Sequence, residues 1–308
     1  MLAMNREGKR TITVVITGAA SGIGEATAKR FAEEPQFTVF ATDNDPKVTG
    51  VFSSTLGVTP VVTDITKEQE VKELLQIAGK ETGAVDIFVN AAGVMVSEKS
   101  RNLRERIKPR TKHPPAIQDE LRTNVTSPVM ILLRHVPDYR REDVVEGTFS
   151  QTIVMISSAK HLWPDDTKRI YRRSKYELSR VIRNMKKSYR EDYGVRLIDI
   201  QPGNTKTHID RGIWSGNGSK HEKEGVQRVN TWWRDHFGND PENVAETIYQ
   251  CAINNSTRSP IYVGWDSKLG RALNNIPGFR PAFFLGATTV YNAAEFYSRI
   301  RHKNYAHK

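Results

Sequence analysis

The stretch TITVVITGAASGIG, residues Thr11–Gly24, decides how the rest of the chain is read. Its first half, Thr11–Thr17, is a short β-branched run that stops at glycine, the pattern of a strand buried in a parallel sheet. Its second half passes through Gly18, Gly22 and Gly24 into a segment where Ile23, Ala26, Thr27, Arg30 and Phe31 recur at helical spacing until Pro35. Ser21 offers an N-terminal capping oxygen for that helix. Glycines between a first strand and its helix permit a tight turn and a close approach of the backbone to a pyrophosphate. The exposed N–H groups and the helix dipole favour its negative charge. Taken alone, such a turn is only a strand-to-helix connection.

Outward from this stretch the alternation continues. Thr38–Ala41 reads as a second strand and Val61–Thr63 as a third, followed by a helix over Lys67–Lys80 whose Val71, Leu74, Leu75 and Ala78 form an apolar stripe. Ile87–Val89 is a fourth strand. A helix around Ile117–Val136, a strand Ile153–Ile156, a long helix Ile170–Tyr193 and a strand Val195–Ile200 follow, then a helix Asn243–Asn254 and a strand Ile261–Val263. Strands alternating with helices imply right-handed βαβ units. The fold class is therefore α/β, a doubly wound parallel sheet with helices on both faces in three α/β/α layers. The whole chain, 1–308, reads as one such domain with a basic insertion at about 96–115, a Gly/Asn/Lys-rich segment at about 204–238 and a C-terminal extension at about 265–308.

The bulk composition suits a folded chain: 38% hydrophobic and 26% charged over 308 residues. The formal charge of +11 admits a nucleic-acid partner or a field attractive to an anionic ligand. Its densest part, Lys99–Lys112, carries no accompanying nucleic-acid motif and reads as a solvated face. Cys251 is the sole cysteine, so no intrachain disulfide forms, and it reads as a small core hydrophobe rather than a nucleophile. Neither a leader-like N-terminus nor 18 consecutive apolar residues appears, so a cytoplasmic location is expected, with no transmembrane segment and no metal.

Two further groups carry chemistry. Asp43 falls 19 residues after Gly24 at the end of the second strand, from which a carboxylate can hydrogen-bond both hydroxyls of an adenosine ribose and repel a 2′-phosphate. With Ser21 and Asn44 offering no cation to such a phosphate, this favours NAD over NADP. Tyr171 and Lys175 are four apart on a helix and so share a face, where an ammonium favours the phenolate that exchanges a proton with an alcohol or ketone. A Tyr-x-x-x-Lys pair by itself is mostly a surface pair. Together with the glycine loop and the serine-bearing strand end it becomes specific.

In that order, from Thr11 to about Thr207, the chain resembles the short-chain dehydrogenase/reductase family, which implies a Rossmann-type fold and oxidoreductase activity. TGAASGIG (Thr17–Gly24) fits that family's TGxxxGxG cofactor loop, with Ser21 and Ile23 between its glycines. Asp64 and Ile65 resemble its Asp-Val adenine contact. VNAAG (Val89–Gly93) resembles its NNAG element, with Asn90 in the strand-stabilising place, Ala91 replacing the second asparagine, and Gly93 at its end. RTNVTSP supplies Asn124, Ser158 precedes Tyr171 by the usual 13 residues, and YRRSK matches YxxSK. PGNTKT (Pro202–Thr207) resembles PGxVxT, in which Pro202, Gly203, Thr205 and Thr207 would meet the nicotinamide carboxamide.

By that resemblance Tyr171 is the general acid/base, Ser158 hydrogen-bonds the reacting oxygen, and Lys175 binds the nicotinamide ribose and tunes the tyrosine. Asn124 would hold Lys175 and a water in a proton relay. Spacing selects Ser158 over Ser157, which then reads as a strand-end hydroxyl satisfying backbone. The family also implies a substrate-covering lid at 204–238, here containing Trp214, Trp232, Trp233 and Phe237, and a homodimer or homotetramer. His161 and Trp163 stand where a small glycine commonly follows the serine; with Ser158, Tyr171 and Trp214 they form the expected substrate contacts. The segments 96–115 and Pro137–Gln151 exceed the family norm and are expected to flank the catalytic face.

The activity this implies is NAD-dependent interconversion of a secondary alcohol and a ketone on an apolar or ring-containing small molecule. Two alternatives are a non-catalytic dinucleotide-sensing scaffold, which predicts a broken tetrad, and a basic nucleic-acid-binding protein on the same fold, which predicts salt-sensitive binding.

Overall fold

The computed structural model describes residues 11–95, 115–142, 148–162, 169–207, 238–254 and 259–275, with 144, 209 and 236 between them. Most of the basic insertion, Trp163, Trp214 and most of the segment 204–238 lie outside the described residues.

β1 (Ile12–Thr17), β2 (Phe37–Asp43), β3 (Val58–Val62), β4 (Ile87–Asn90), β5 (Gln151–Ile156), β6 (Val195–Pro202) and β7 (Ile261–Val263) form one sheet in the order β3-β2-β1-β4-β5-β6-β7, every pair parallel. The order reverses between β1 and β4, so a crevice opens above the carboxyl ends of those two strands, beside the glycine loop. The expected three-layer α/β/α fold is thus observed.

The helices are α1 (Gly22–Ala32), α2 (Lys47–Val51), α3 (Glu68–Thr82), α4 (Pro115–Leu121), α5 (Leu133–His135), α6 (Arg169–Tyr193), α7 (Pro241–Ile253) and α8 (Trp265–Asn274). Between α4 and α5 the helix widens into π turns at Arg122–Thr126 and Pro128–Leu132. Pro128 has no N–H with which to close an ordinary turn, and such widened turns gather at functional sites. α2 and α8 have no counterpart in the sequence reading.

Strand alternation divides the core in two. Val14, Ile16, Val39, Ala41, Val154, Ile198 and Ile200 pack on the α1 and α7 side, where Cys251 lies buried in the cluster as expected and burial pushes its thiol up. Val15, Phe40, Phe88, Ile153, Met155 and Leu197 pack on the other side, with Leu74, Leu75, Leu178 and Ile182 of α3 and α6. Phe31, Phe37 and Tyr249 meet edge to face within the first cluster.

Two expectations are corrected. Ser21 stands at the N-cap of α1, but its side chain makes no capping hydrogen bond. The described residues of the segment Pro137–Gln151 do not flank the crevice. The Tyr139 carbonyl accepts from Val85 N at 2.8 Å and Arg141 pairs with Asp86, just before β4 begins, which puts the segment at the amino ends of the strands. A connection that leaves a helix and enters a parallel strand must emerge there.

Candidate active site

The glycine loop is held open by backbone that side chains would block. Gly18 has φ +70°, and a β-carbon there would lie 2.6 Å from Ala92 N. At Gly24 a β-carbon would overlap the carbonyl of Gly18, so the first turn of α1 sits directly on the end of β1. Because Ser21 does not cap the helix, the amides of Gly22, Ile23 and Gly24 have no acceptor among the described residues. Unsatisfied first-turn amides with a dipole behind them form a cradle for an anion. Thr207 closes this cradle from the far side, its methyl 3.0 Å from where a β-carbon on Gly22 would lie.

Asp43 reaches back to the loop. One carboxylate oxygen accepts from Ala20 N at 3.0 Å and the other from Asp45 N at 3.0 Å. Asp64 builds a turn instead, accepting from Thr66 N at 2.9 Å and Thr66 Oγ1 at 2.8 Å, while Ile65 is buried in the second core cluster. Asn90 is buried and accepts from Thr17 Oγ1 at 2.7 Å, tying β4 to β1. The Ala91 amide donates to Thr17 O at 3.2 Å.

The second group gathers where β5, the widened helix and α6 converge. Tyr171 is 8% exposed and packs with Met95 and Ile209. Lys175 is buried, its Nζ 6.0 Å from the centroid of the Tyr171 ring and 2.9 Å from the Ile156 carbonyl to which it donates. That is the one hydrogen bond its three donors make among the described residues. Burial pulls the ammonium down from 10.5 to about 8, opposed by the negative charges of Asp199 and Glu120. Ser158 accepts from Lys160 N at 3.1 Å and donates to nothing among the described residues. Lys175 thus lies beside the Tyr171 ring and reaches the end of β5 two residues before Ser158, with the Ser158 hydroxyl proton and two Lys175 donors still open among the described residues.

The Asn124 side chain is differently employed. Its Oδ1 accepts from Val94 N at 2.9 Å, and its Nδ2 donates to Val94 O at 2.8 Å and to Ser174 Oγ at 3.1 Å. It pins the loop after β4 to α6. Gly93 lies between Asn124 and Lys175, since a β-carbon there would stand 3.1 Å from Lys175 Nζ and 3.2 Å from Asn124 Oδ1. His161 is likewise engaged, its Nδ1 2.5 Å from Ser158 O and its ring edge-on to Tyr176.

Four residues absent from the sequence reading, Asp266, Asn239, Asp199 and Glu120, support the site. Asp266, from α8, accepts from Asn204 N at 2.7 Å and fills the space that a side chain at Gly203 would need, anchoring the Pro202–Thr207 turn. The base of the segment beyond is clasped: Lys206 N donates to Asn239 O at 2.8 Å, Asn239 N donates to Asn204 O at 2.7 Å, and Thr205 bridges Asn239. Asp199 and Glu120 are buried carboxylates that face Lys175. Ser157 does turn its hydroxyl toward backbone, the Ile200 carbonyl at 3.5 Å, and it also donates to Asp199 at 2.5 Å. The signals were a carboxylate in the apolar strand VRLIDIQP and an aspartate just after a glycine in GWDS.

No group of three or more His, Cys, Asp or Glu is placed to hold a metal among the described residues, and none of their helices is long and apolar enough to cross a membrane. A family model described as short chain dehydrogenase matches residues 12–218, more than half of the chain. A glucose 1-dehydrogenase of Gluconobacter oxydans is 31% identical over 208 residues, covering 64% of this chain and 70% of that protein. An uncharacterized oxidoreductase of Staphylococcus aureus is 44% identical over 87 residues, 28% of this chain and 38% of its own length. Among solved structures, a 3-ketoacyl-(acyl-carrier-protein) reductase of Brucella melitensis complexed with NADH superposes with a TM-score of 0.63 at 20% identity, covering 82% of this chain and 95% of that one. An actinorhodin polyketide ketoreductase variant with NADPH also gives 0.63 at 20% identity, over 79% and 90%. At these identities the two structures speak for the fold.

Proposed function

The chain belongs to the short-chain dehydrogenase family, and on that premise we propose that it is an NAD-dependent oxidoreductase interconverting a secondary alcohol and a ketone. The observation that carries this is the burial of Ser158, Tyr171 and Lys175, with the Ser158 hydroxyl and two Lys175 donors unused among the described residues, on a sheet that also carries an uncapped helix end. The residues fit a nicotinamide dinucleotide: amides at Gly22–Gly24 for its pyrophosphate, the Asp43 carboxylate for its adenosine ribose, and the free donors of Lys175 for its nicotinamide ribose. Such a cofactor supplies the hydride acceptor or donor when bound.

In the oxidation direction Tyr171 takes the alcohol proton at its phenolic oxygen, and in reduction it returns one. Lys175 favours the phenolate electrostatically, and Ser158 donates to the reacting oxygen and holds it in place. Burial of all three excludes water, so these charges act in a low dielectric. Met95 and Ile209 around the phenol support an apolar or ring-containing substrate. Asp43 supports NAD over NADP, because a 2′-phosphate would meet its carboxylate. A homo-oligomer in a cytoplasmic setting accords with the family resemblance.

The test is turnover of a panel of secondary alcohols and ketones with NAD and with NADP, read by nicotinamide absorbance, in the parent and in Tyr171→Phe. The expected result is NAD-preferring turnover that falls at least about 10²-fold in the variant while NADH binding is retained. Undiminished turnover in the variant would sink the assignment.

A further inference from the structure

Toward the upper edge of the sheet the second core cluster changes character. On the α6 side of β6, Val195 and Leu197 are succeeded by Asp199 and Gln201; on the same side of β5, Ile153 and Met155 are succeeded by Ser157. From α6, Ser179 faces this polar layer, one turn beyond Lys175.

Asp199 lies at the centre of the layer at 3% exposure, and every contact on its two oxygens is a donor. Ser157 Oγ donates at 2.5 Å, Ser179 Oγ at 2.6 Å and Gln201 Nε2 at 2.6 Å, while Gln201 Nε2 also donates to Ser179 Oγ at 2.9 Å. Each donor adjoins a residue of the candidate site: Ser157 precedes Ser158, Ser179 shares a helix face with Lys175, and Gln201 precedes Pro202. No Lys or Arg forms an ion pair with Asp199 among the described residues, although a buried carboxylate is costly without opposite charge. The charged groups facing Lys175 are Asp199 from β6 and Glu120 from α4. The Tyr171 ring faces it from its own helix and the Ile156 carbonyl from β5.

We propose that Asp199 is a positioning residue of the candidate active site, a buried counter-charge that keeps Lys175 protonated while tying the ends of β5, β6 and α6 together. Its effect on turnover rests on the oxidoreductase reading above; its effect on the Lys175 proton does not. A hydrogen-bonding residue alone would serve the second role, so the charge is what separates this proposal from a structural one.

The experiment is an NMR pH titration of the full-length protein labelled at lysine side chains, with the Lys175 signal identified by its loss in Lys175→Met. In the parent the midpoint is expected at about 8. Asp199→Asn, which keeps the shape and one acceptor oxygen but removes the charge, is expected to lower it by about one pH unit. Glu120→Gln lowers it by less, and Ser179→Ala leaves it in place. Should Asp199→Asn not fold, Asp199→Ser, smaller and equally uncharged, carries the same expectation. An unmoved midpoint in the folded variant overturns the proposal whatever the enzyme does. A lowered midpoint in a parent that turns over no alcohol or ketone upholds Asp199 and counts only against the oxidoreductase reading.

Discussion

The two ends of the sheet use similar polar residues to opposite purposes. At the amino ends Asp86 accepts from Thr13 N at 2.7 Å and forms a two-point pair with Arg141, and Arg141 also reaches the Thr11 carbonyl. Arg196, 5% exposed, donates to the Cys251, Ala252 and Asn254 carbonyls and so caps the carboxyl end of α7. Gln151 donates to Val85 O at 2.8 Å and Val136 O at 3.1 Å. These bonds close on the protein itself. At the carboxyl ends, by contrast, the amides of α1, the Ser158 hydroxyl and two donors of Lys175 stay open among the described residues. Polar residues that spend their bonds internally hold a fold, whereas polar residues held by one bond with others to spare are available to a ligand.

Breaking the lower end should cost the most stability. Asp86→Ala leaves the partly buried Arg141 without its carboxylate and is expected to destabilise by about 3 kcal/mol in urea unfolding, with NADH affinity unchanged in the folded fraction. A matching loss of NADH affinity would erase the distinction between the ends.

The upper end should show the reverse sign. Lys175 binds its proton less tightly in the folded protein, about 8, than at its ordinary 10.5. Between those values the unfolded chain holds more protons, so this group's contribution to stability rises with pH across the window and its full penalty is felt below about pH 8. Lys175→Met is therefore expected to unfold at higher urea than the parent at pH 7, by up to about 3 kcal/mol, with the difference gone near pH 10.5 and turnover lost. A variant less stable at pH 7 would make Lys175 a structural residue like Arg196.

The smallest effect belongs to Ser21. A true capping serine costs about 1 kcal/mol on replacement by alanine, whereas Ser21→Ala here is expected to change stability by less than about 0.5 kcal/mol. A full capping loss in urea unfolding would contradict the open helix end.

What the sequence revealed follows from how local each feature is. The glycine loop, Asp43 and the Tyr171–Lys175 pair were legible because each is set by spacing along one turn, strand or helix. Asp199, Glu120 and Asp266 were not, because their meaning comes from partners brought near by the sheet: Asp199 meets Ser157 across 42 residues and Asp266 meets Asn204 across 62. The second partner of Ser157 was hidden for the same reason, Asp199 lying on the neighbouring strand. The misplacement of Pro137–Gln151 is different, for topology alone assigns it to the amino ends. α8 escaped notice because Trp265 and Leu269 remain exposed and blur its apolar stripe.

The clasp between Asn204, Lys206 and Asn239 has an evolutionary consequence. It joins the two ends of the intervening segment by backbone bonds that ask nothing of that segment's side chains. Loop closure costs only about 0.6 kcal/mol more for each doubling of length, so residues between the clasped ends can be lengthened, trimmed or exchanged without shifting the register of β6. A lineage that kept this fastening could vary the enclosed segment as an interchangeable part while the strand end and turn that anchor it stayed where they are.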